Sequence, residues 1–336
     1  MDTAARTKPI DMHLHIVGNG LSGSGCWVNV SGPHRALASF MLKHIGINCG
    51  LNSKDFDRLY VEKVLSMLRS SNIGSAVILA QDDVYNEDGT VRKNAGTFFV
   101  PNDYVLKLSR DYKEFLPAVS IHPARKDSID ELDRCVEAGA VMMKCLPNCH
   151  NIDCSNKRYK KFWDRMAHHK LPLLAHTGGE HTVKVINKKY SDPRILRLPL
   201  ECGVTIIAAH CATKSGLTDP DYFPALVEMM QQHPNLYGDN SAMNVPLRGK
   251  HIPECTKEPI ASRIVFGTDF PVPVSGYWAR LRGFIDRDTQ KTWDKNPNVL
   301  ERDYQLKKAC GFAPESFTRI WKLLRLPTTS SLSRMR

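Results

Sequence analysis

The first apolar run of the chain reads IDMHLHIV and spans Ile10–Val17. A short run that lacks polar alternation is typical of a strand that is covered on both faces. His13 and His15 lie two residues apart, so on a strand both imidazoles project from the same face. Two convergent imidazoles can bind one borderline metal ion. The H-x-H pair alone is a weak motif, and its significance depends on the rest of the chain.

Seven further apolar runs occur along the chain. They cover Ser75–Ala80, Leu116–Ile121, Ala140–Leu146, Leu171–His176, Val204–His210, Asn235–Asn240 and Arg263–Thr268. Helical patterns between them cover Asp55–Arg69, Ser128–Glu137, Lys157–His168 and Tyr222–Gln232. Eight strands in β-α order predict an α/β fold of the (β/α)₈ TIM-barrel type. An open doubly wound sheet is the alternative, which we disfavour because no Gly-rich phosphate loop follows the first strand.

The predicted barrel accounts for almost the whole chain as one domain. We expect an N-terminal extension at residues 1–9, the barrel domain at residues 10–326 and a flexible C-terminal tail at residues 327–336. Two segments read as insertions, Gly18–Lys54 after the first strand and Phe270–Asn298 after the eighth. Both would lie on the C-terminal face, where barrel active sites are built. Each is either a lid or an ordinary surface excursion.

Composition excludes several classes of protein. The 336 residues carry a net charge of +11, which favours an anionic substrate, but the basic residues are scattered and do not predict nucleic-acid binding. No run approaches the roughly 18 apolar residues of a membrane span. The ten cysteines occur without an export signal, so we expect reduced thiols and a cytoplasmic location. A homo-oligomer is compatible with the sequence.

Residues capable of chemistry recur where the later predicted strands end. These ends carry Lys144 on the fourth strand, His176 on the fifth, His210 on the sixth and Asp269 on the eighth. The C-terminal ends of barrel strands meet at one mouth, so a barrel would bring these groups together with the first-strand histidines. A buried carboxylate such as Asp269 needs a charged partner, and a metal would supply it.

This set of residues resembles the amidohydrolase superfamily. The Gly267–Pro271 turn, GTDFP, and the segment Ala175–Gly178, AHTG, most resemble its amidohydrolase-2 branch. That branch contains hydrolases, lactonases and non-oxidative decarboxylases, and the resemblance spans Ile10–Leu324. It implies a TIM barrel with a Zn-type metal site, and it leaves the substrate open.

The resemblance also implies roles for individual residues. His13, His15, His176 and Asp269 match a mononuclear metal site, and His210 matches a histidine that binds a second metal or polarises the substrate. Lys144 stands where binuclear members carry a carboxylated lysine that bridges two metals. The alternative role for an unmodified Lys144 is an ion pair with a carboxylate of the protein or with an anionic group of the substrate. We expect one divalent ion, zinc, or two if Lys144 is carboxylated.

Asp269 is the predicted general base, and His210 is predicted to steady the developing oxyanion. Three further residues are candidates for substrate binding: His122, Arg35 and Glu180. A competing motif, Cys145-x₃-Cys149-His150-x₃-Cys154, has an unusual spacing for structural zinc, and we disfavour it.

These observations favour a metal-dependent hydrolase of a small, anionic lactone, ester or amide. The second hypothesis is a carboxy-lyase that acts on an aromatic or unsaturated acid. The third is a non-catalytic barrel subunit, against which the intact set of metal-ligand types argues.

Overall fold

The computed structural model describes residues 7–326, so residues 1–6 of the predicted extension and the predicted tail at 327–336 lie outside the described part. Eight parallel strands form one sheet in which each strand pairs with the next along the chain. They are β1 (Ile10–His15), β3 (Ser75–Leu79), β5 (Phe115–Val119), β6 (Met142–Cys145), β7 (Leu173–Ala175), β8 (Ile206–Ala208), β9 (Leu236–Asp239) and β10 (Ile264–Val265). The predicted TIM barrel is confirmed.

The barrel closes between its first and last strands through the turn that follows β10. The His15 backbone N–H donates to the Phe270 carbonyl at 3.0 Å, and the Asp269 N–H donates to the His13 carbonyl at 2.8 Å. The backbone of Asp269 is therefore fixed to the same strand that carries the two histidines.

A β-bulge interrupts the pairing of β1 with β3. Asp11 pairs with Ala76 and Leu14 pairs with Ile78, so three steps along β1 match two steps along β3. One extra residue in a strand reverses the face on which the later side chains lie.

The bulge decides where the two histidines point. Before it, Ile10 and Met12 pack in the interior cluster of the barrel. In a regular strand His13 would lie on the opposite face, together with Asp11. After the bulge, Leu14 joins the outer core cluster and the two histidines face the lumen.

Helices surround the sheet, and one of them, Gly32–His44, lies over the barrel mouth. They are α1 (Gly32–His44), α2 (Phe56–Arg69), α3 (Asn102–Asp111), α4 (Ser128–Glu137), α5 (Pro147–His150), α6 (Lys160–His168), α7 (Arg197–Glu201), α8 (Phe223–Gln232), α9 (Ile252–Cys255), α10 (Tyr277–Leu281), α11 (Arg287–Asp294) and α12 (Val299–Ala309). The predicted helix Lys157–His168 begins instead with a 3₁₀ turn over Lys157–Tyr159.

The segments that follow β1 and β3 form a small second sheet. Strand β2 (Trp27–Val28) pairs antiparallel with β4 (Phe98–Phe99). Sequence reasoning identified the first of these insertions but not the second, which spans residues 80–101. The insertion after the eighth strand contains α10 and α11. No helix within residues 7–326 has both the length and the apolar composition needed to cross a bilayer.

Candidate active site

One carboxylate and three imidazoles meet at the mouth of the barrel. Asp269 Oδ1 lies 3.3 Å from Nε2 of His13 and 3.3 Å from Nε2 of His15. Asp269 Oδ2 lies 3.9 Å from Nε2 of His210. Ligand atoms of His13, His210 and Asp269 all fall within 4.8 Å of one another, as in a group that could hold a metal ion. This geometry makes the mouth a candidate metal centre.

Two of these residues have a left-handed backbone. The φ angle is +63° at Asp269 and +58° at His210, and Cys211 and Ala212 continue the left-handed stretch at +49° and +54°. Such conformations cost roughly 1–3 kcal/mol each for residues with a side chain, and they concentrate at functional sites. The surrounding structure therefore holds His210 and Asp269 in place at a cost in stability.

Asp239, at the end of β9, connects two of the imidazoles. Its Oδ2 accepts from His13 Nδ1 at 2.7 Å, and its Oδ1 accepts from the His210 backbone N–H at 2.7 Å. Ser241 Oγ donates to the same Oδ1 at 2.5 Å and lies 2.8 Å from His210 Nδ1. One fully buried carboxylate thus orients the His13 ring directly and the His210 ring through Ser241.

These contacts settle the tautomers. A carboxylate only accepts, so His13 Nδ1 carries the proton, and the Ser241 carbonyl, 3.2 Å from His210 Nδ1, makes that atom a donor too. Burial lowers the pKa of both imidazoles well below its ordinary value, so both are neutral. Each Nε2 therefore presents a lone pair to the site, as in carboxylate–histidine–metal arrangements.

Sequence reasoning missed Asp239. It is the next-to-last residue of the seventh apolar run, Asn235–Asn240, whose pattern is weak, although it stands at the strand-end position that singled out the other site residues. The sequence feature that could have identified it is the carboxylate in Gly238-Asp239-Asn240, at the end of the predicted strand.

Asp239→Asn should weaken metal binding about 10- to 100-fold, since an amide cannot orient His13 as the carboxylate does. Competition with a chelator measures the affinity, and circular dichroism checks the fold. Asp221→Asn is the matched control because Asp221 pairs with His251 at 2.9 Å in another part of the barrel. Equal metal affinity in the two variants would contradict this role.

His176 faces the same mouth from the loop after β7. Its ring centroid lies 5.0 Å from that of His210, and its Nε2 lies 3.6 Å from Glu180 Oε2. Burial lowers the pKa of His176 to about 3, and its Nε2 has no hydrogen-bond partner within residues 7–326. His176 is thus a neutral imidazole with a free ring nitrogen.

Arg248 supports the loop that carries His176 and Glu180. Its buried guanidinium donates to the Gly179 carbonyl at 2.6 Å and to the Thr213 carbonyl at 3.1 Å. Sequence reasoning did not identify this arginine, which lies on a short 3₁₀ turn with no motif around it.

Lys144 is buried at the end of β6, and its Nζ lies 2.9 Å from His13 Nε2. The His13 tautomer makes the amine the donor of this bond. Burial lowers the pKa of Lys144. The strand-end pattern therefore brings Lys144 to the histidine cluster, and its bridging of two metals stays a prediction.

A cavity opens onto the candidate metal centre. Its floor carries the polar side chains of His15, Lys144, His176, Glu180 and Asp269. Its walls are mostly apolar and come from the first insertion, the β4 segment and the turn after β10. Helix α1 therefore forms part of the cavity wall.

Two predicted substrate-binding residues lie outside this cavity. His122 is buried, and its Nε2 donates to the His150 carbonyl at 2.9 Å. It therefore stabilises the structure beside the barrel mouth. Arg35 is exposed on α1 and does not line the cavity, whereas its neighbour His34 does. Glu180 lines the cavity, as its predicted role requires.

The cysteine motif after β6 does not form a metal group within the described part of the chain. His150 Nε2 lies 2.6 Å from the Gln81 amide nitrogen, and burial raises the pKa of the Cys149 thiol well above its usual value.

Comparison with known proteins agrees with this architecture. The family model described as amidohydrolase matches residues 10–304. No curated protein matches the chain.

Solved structures share the fold at low sequence identity. An uncharacterised TIM-barrel protein from Bordetella bronchiseptica aligns at 14% identity with a TM-score of 0.56, over 90% of this chain and 99% of its own. A probable 2-pyrone-4,6-dicarboxylic acid hydrolase from Acinetobacter baumannii aligns at 13% identity with a TM-score of 0.53. The alignment covers 89% of this chain and 95% of the hydrolase. A dihydroxybenzoic acid decarboxylase from Polaromonas sp. was solved with manganese and 2-nitroresorcinol. It aligns at 14% identity with a TM-score of 0.51, over 93% of this chain and 97% of its own.

Proposed function

Since the chain belongs to the amidohydrolase family, we propose that it is a metal-dependent hydrolase that cleaves a C–O or C–N bond in a small lactone, ester or amide. The main support for this proposal is the Asp269 carboxylate, which lies 3.3 Å from two imidazoles at the floor of the cavity. A carboxylate in this position can accept a proton from water and return it to a leaving group.

The donor set fits a divalent ion of the zinc type. His13, His15, His176 and Asp269 would hold it, which are the imidazole and carboxylate ligands typical of catalytic zinc. The unpartnered, buried Nε2 of His176 and the lone pair on His13 Nε2 support this assignment. When bound, such an ion acidifies water and polarises a carbonyl group.

The tautomer of His210 changes its proposed role. Stabilising an oxyanion requires an N–H directed into the site, yet the proton of His210 lies on Nδ1 and is donated to Ser241. The lone pair on Nε2 suits a metal ligand or a proton acceptor. We therefore propose that His210 binds the ion or accepts a proton during turnover.

Lys144 is proposed to act as an unmodified amine. Its Nζ lies close enough to His13 Nε2 to donate a hydrogen bond, and it can donate instead to a substrate oxygen at the cavity floor. We expect the intact mass of the metal-loaded protein to show no added CO₂. A carbamate on Lys144, together with two metal ions per chain, would establish the binuclear form instead.

The test is turnover of a panel of lactones, esters and amides by the zinc-loaded protein, before and after removal of the metal with a chelator. We expect hydrolysis of at least one compound, its loss on chelation and its return when metal is restored. Release of CO₂ from hydroxybenzoates, with no lactone or ester turnover, would overturn the proposal in favour of a carboxy-lyase.

A further inference from the structure

We propose that the substrate is a predominantly apolar molecule with at most one carboxylate, whose hydrocarbon part fills the cavity between helix α1 and the barrel mouth. This inference rests on the proposed function, because it assigns the substrate class of the same site. It also narrows the expectation of an anionic substrate that the net charge of the chain suggested.

The reactive lining groups come from the strand ends at the barrel mouth, and most of the apolar ones come from the segments that cover the mouth. The reactive groups His15, Lys144 and Asp269 share the cavity floor with His176 and Glu180. A substrate must therefore place its scissile group at the floor, and the remainder of the molecule extends along the walls.

The walls offer hydrocarbon surface to that remainder. On α1, the lining side chains Leu37, Ala38 and Met41 recur at helical spacing, so one face of the helix is turned to the cavity. Val28 and Phe98 come from the small antiparallel sheet and continue the same surface. Each methylene that a ligand buries here should tighten binding about fourfold.

The described residues of the walls include no lysine or arginine for a second carboxylate, and the imidazole of His34 on α1 is their one basic side chain. Lys144 is the one lysine or arginine among the described residues that line the cavity, and it lies on the floor. Arg35 is exposed, and the buried Arg248 is occupied by two backbone carbonyls. A carboxylate on the outer half of a ligand would lose its hydration without gaining a permanently charged partner, since His34 offers an imidazole and not a lysine or arginine.

The test compares straight-chain ligands that differ only at the outer end. Calorimetry on the zinc-loaded protein measures binding of butanoate, hexanoate, octanoate and octanedioate. We expect affinity to rise by about 250-fold from butanoate to octanoate when all four added methylenes are buried, and octanedioate to bind at least about tenfold more weakly than octanoate. Equal affinity along the series, or octanedioate binding as tightly as octanoate, would overturn the inference.

A charge placed in the wall should reverse this preference. Met41→Lys puts a cation on the cavity face of α1 and should favour octanedioate over octanoate, whereas Phe40→Lys, at a neighbouring position that is 57% exposed, should leave the order unchanged. If Met41→Lys still bound octanoate more tightly than octanedioate, the result would count against the inference. The wild-type series decides the question if that variant does not fold.

Binding and turnover separate the two proposals. If binding follows chain length while no ester or lactone is hydrolysed, the proposed reaction fails and the substrate class stands. If hydrolysis occurs while binding ignores chain length, the substrate class alone is wrong.

Discussion

Asp269→Asn is expected to keep the fold and to lose hydrolytic activity about 10²- to 10⁴-fold, the range for removal of a general acid–base group. The amide preserves the size of the side chain but cannot accept a proton, and it removes the negative charge that faces His13 and His15. The backbone contact of Asp269 with the His13 carbonyl does not involve the side chain, so the turn should persist.

Steady-state kinetics on the best substrate of the panel measure the effect. Asp130→Asn provides the control because Asp130 is exposed in the first turn of α4 and does not line the cavity. Retained activity in Asp269→Asn, with an unchanged melting curve, would contradict the assignment of Asp269 as the general base.

Lys307→Met is expected to lower the free energy of unfolding by about 3–5 kcal/mol, as when one partner of a buried ion pair is removed. Lys307 is 1% exposed, and its Nζ donates to Asp303 Oδ2 at 2.5 Å and to the Gly267 carbonyl at 2.6 Å. Gly267 precedes the turn that carries Asp269. The pair therefore ties α12 to the candidate active site.

The loss of unfolding free energy in Lys307→Met should increase with pH. Burial, partly offset by Lys307, raises the pKa of Asp303 to about 7. An acid whose pKa is higher in the folded state holds its proton more tightly there, so stability falls as pH rises from the unfolded pKa through the folded one. Without Lys307 the folded pKa rises further, and the decline should extend into the alkaline range.

Urea unfolding on either side of neutral pH measures this effect. Lys308→Met is the matched control because the adjacent lysine is exposed at the same end of α12. If the two variants lost equal stability, or if the loss for Lys307→Met did not increase with pH, the buried pair would not have the proposed role.

The barrel could be predicted because its strands are buried on both faces. Each therefore reads as a short apolar run, and the parallel order follows from helices that alternate with these runs. The C-terminal ends then gather Lys144, His210 and Asp269 without any knowledge of loop structure. These features depend on local sequence and on the topology alone.

Other parts of the site depend on contacts between distant segments. The bulge in β1 is defined only by its pairing with β3, so no pattern within Ile10–His15 indicated which face would bear the histidines. Asp239 acquires its role from His13, 226 residues away in the chain. The apolar wall depends on how α1 folds over the mouth, which the first insertion did not reveal by its composition.

We expect the histidines of β1 to help hold a divalent metal on which the activity depends. The most direct test is metal content per chain in purified wild-type protein, in the double variant His13→Gln/His15→Gln, and in His168→Gln, whose imidazole is exposed on α6. We expect about one zinc-type ion per chain in the wild type and in the control. The double variant should lose both the metal and the activity. Equal metal content in all three proteins, or full activity in a metal-free wild type, would contradict it.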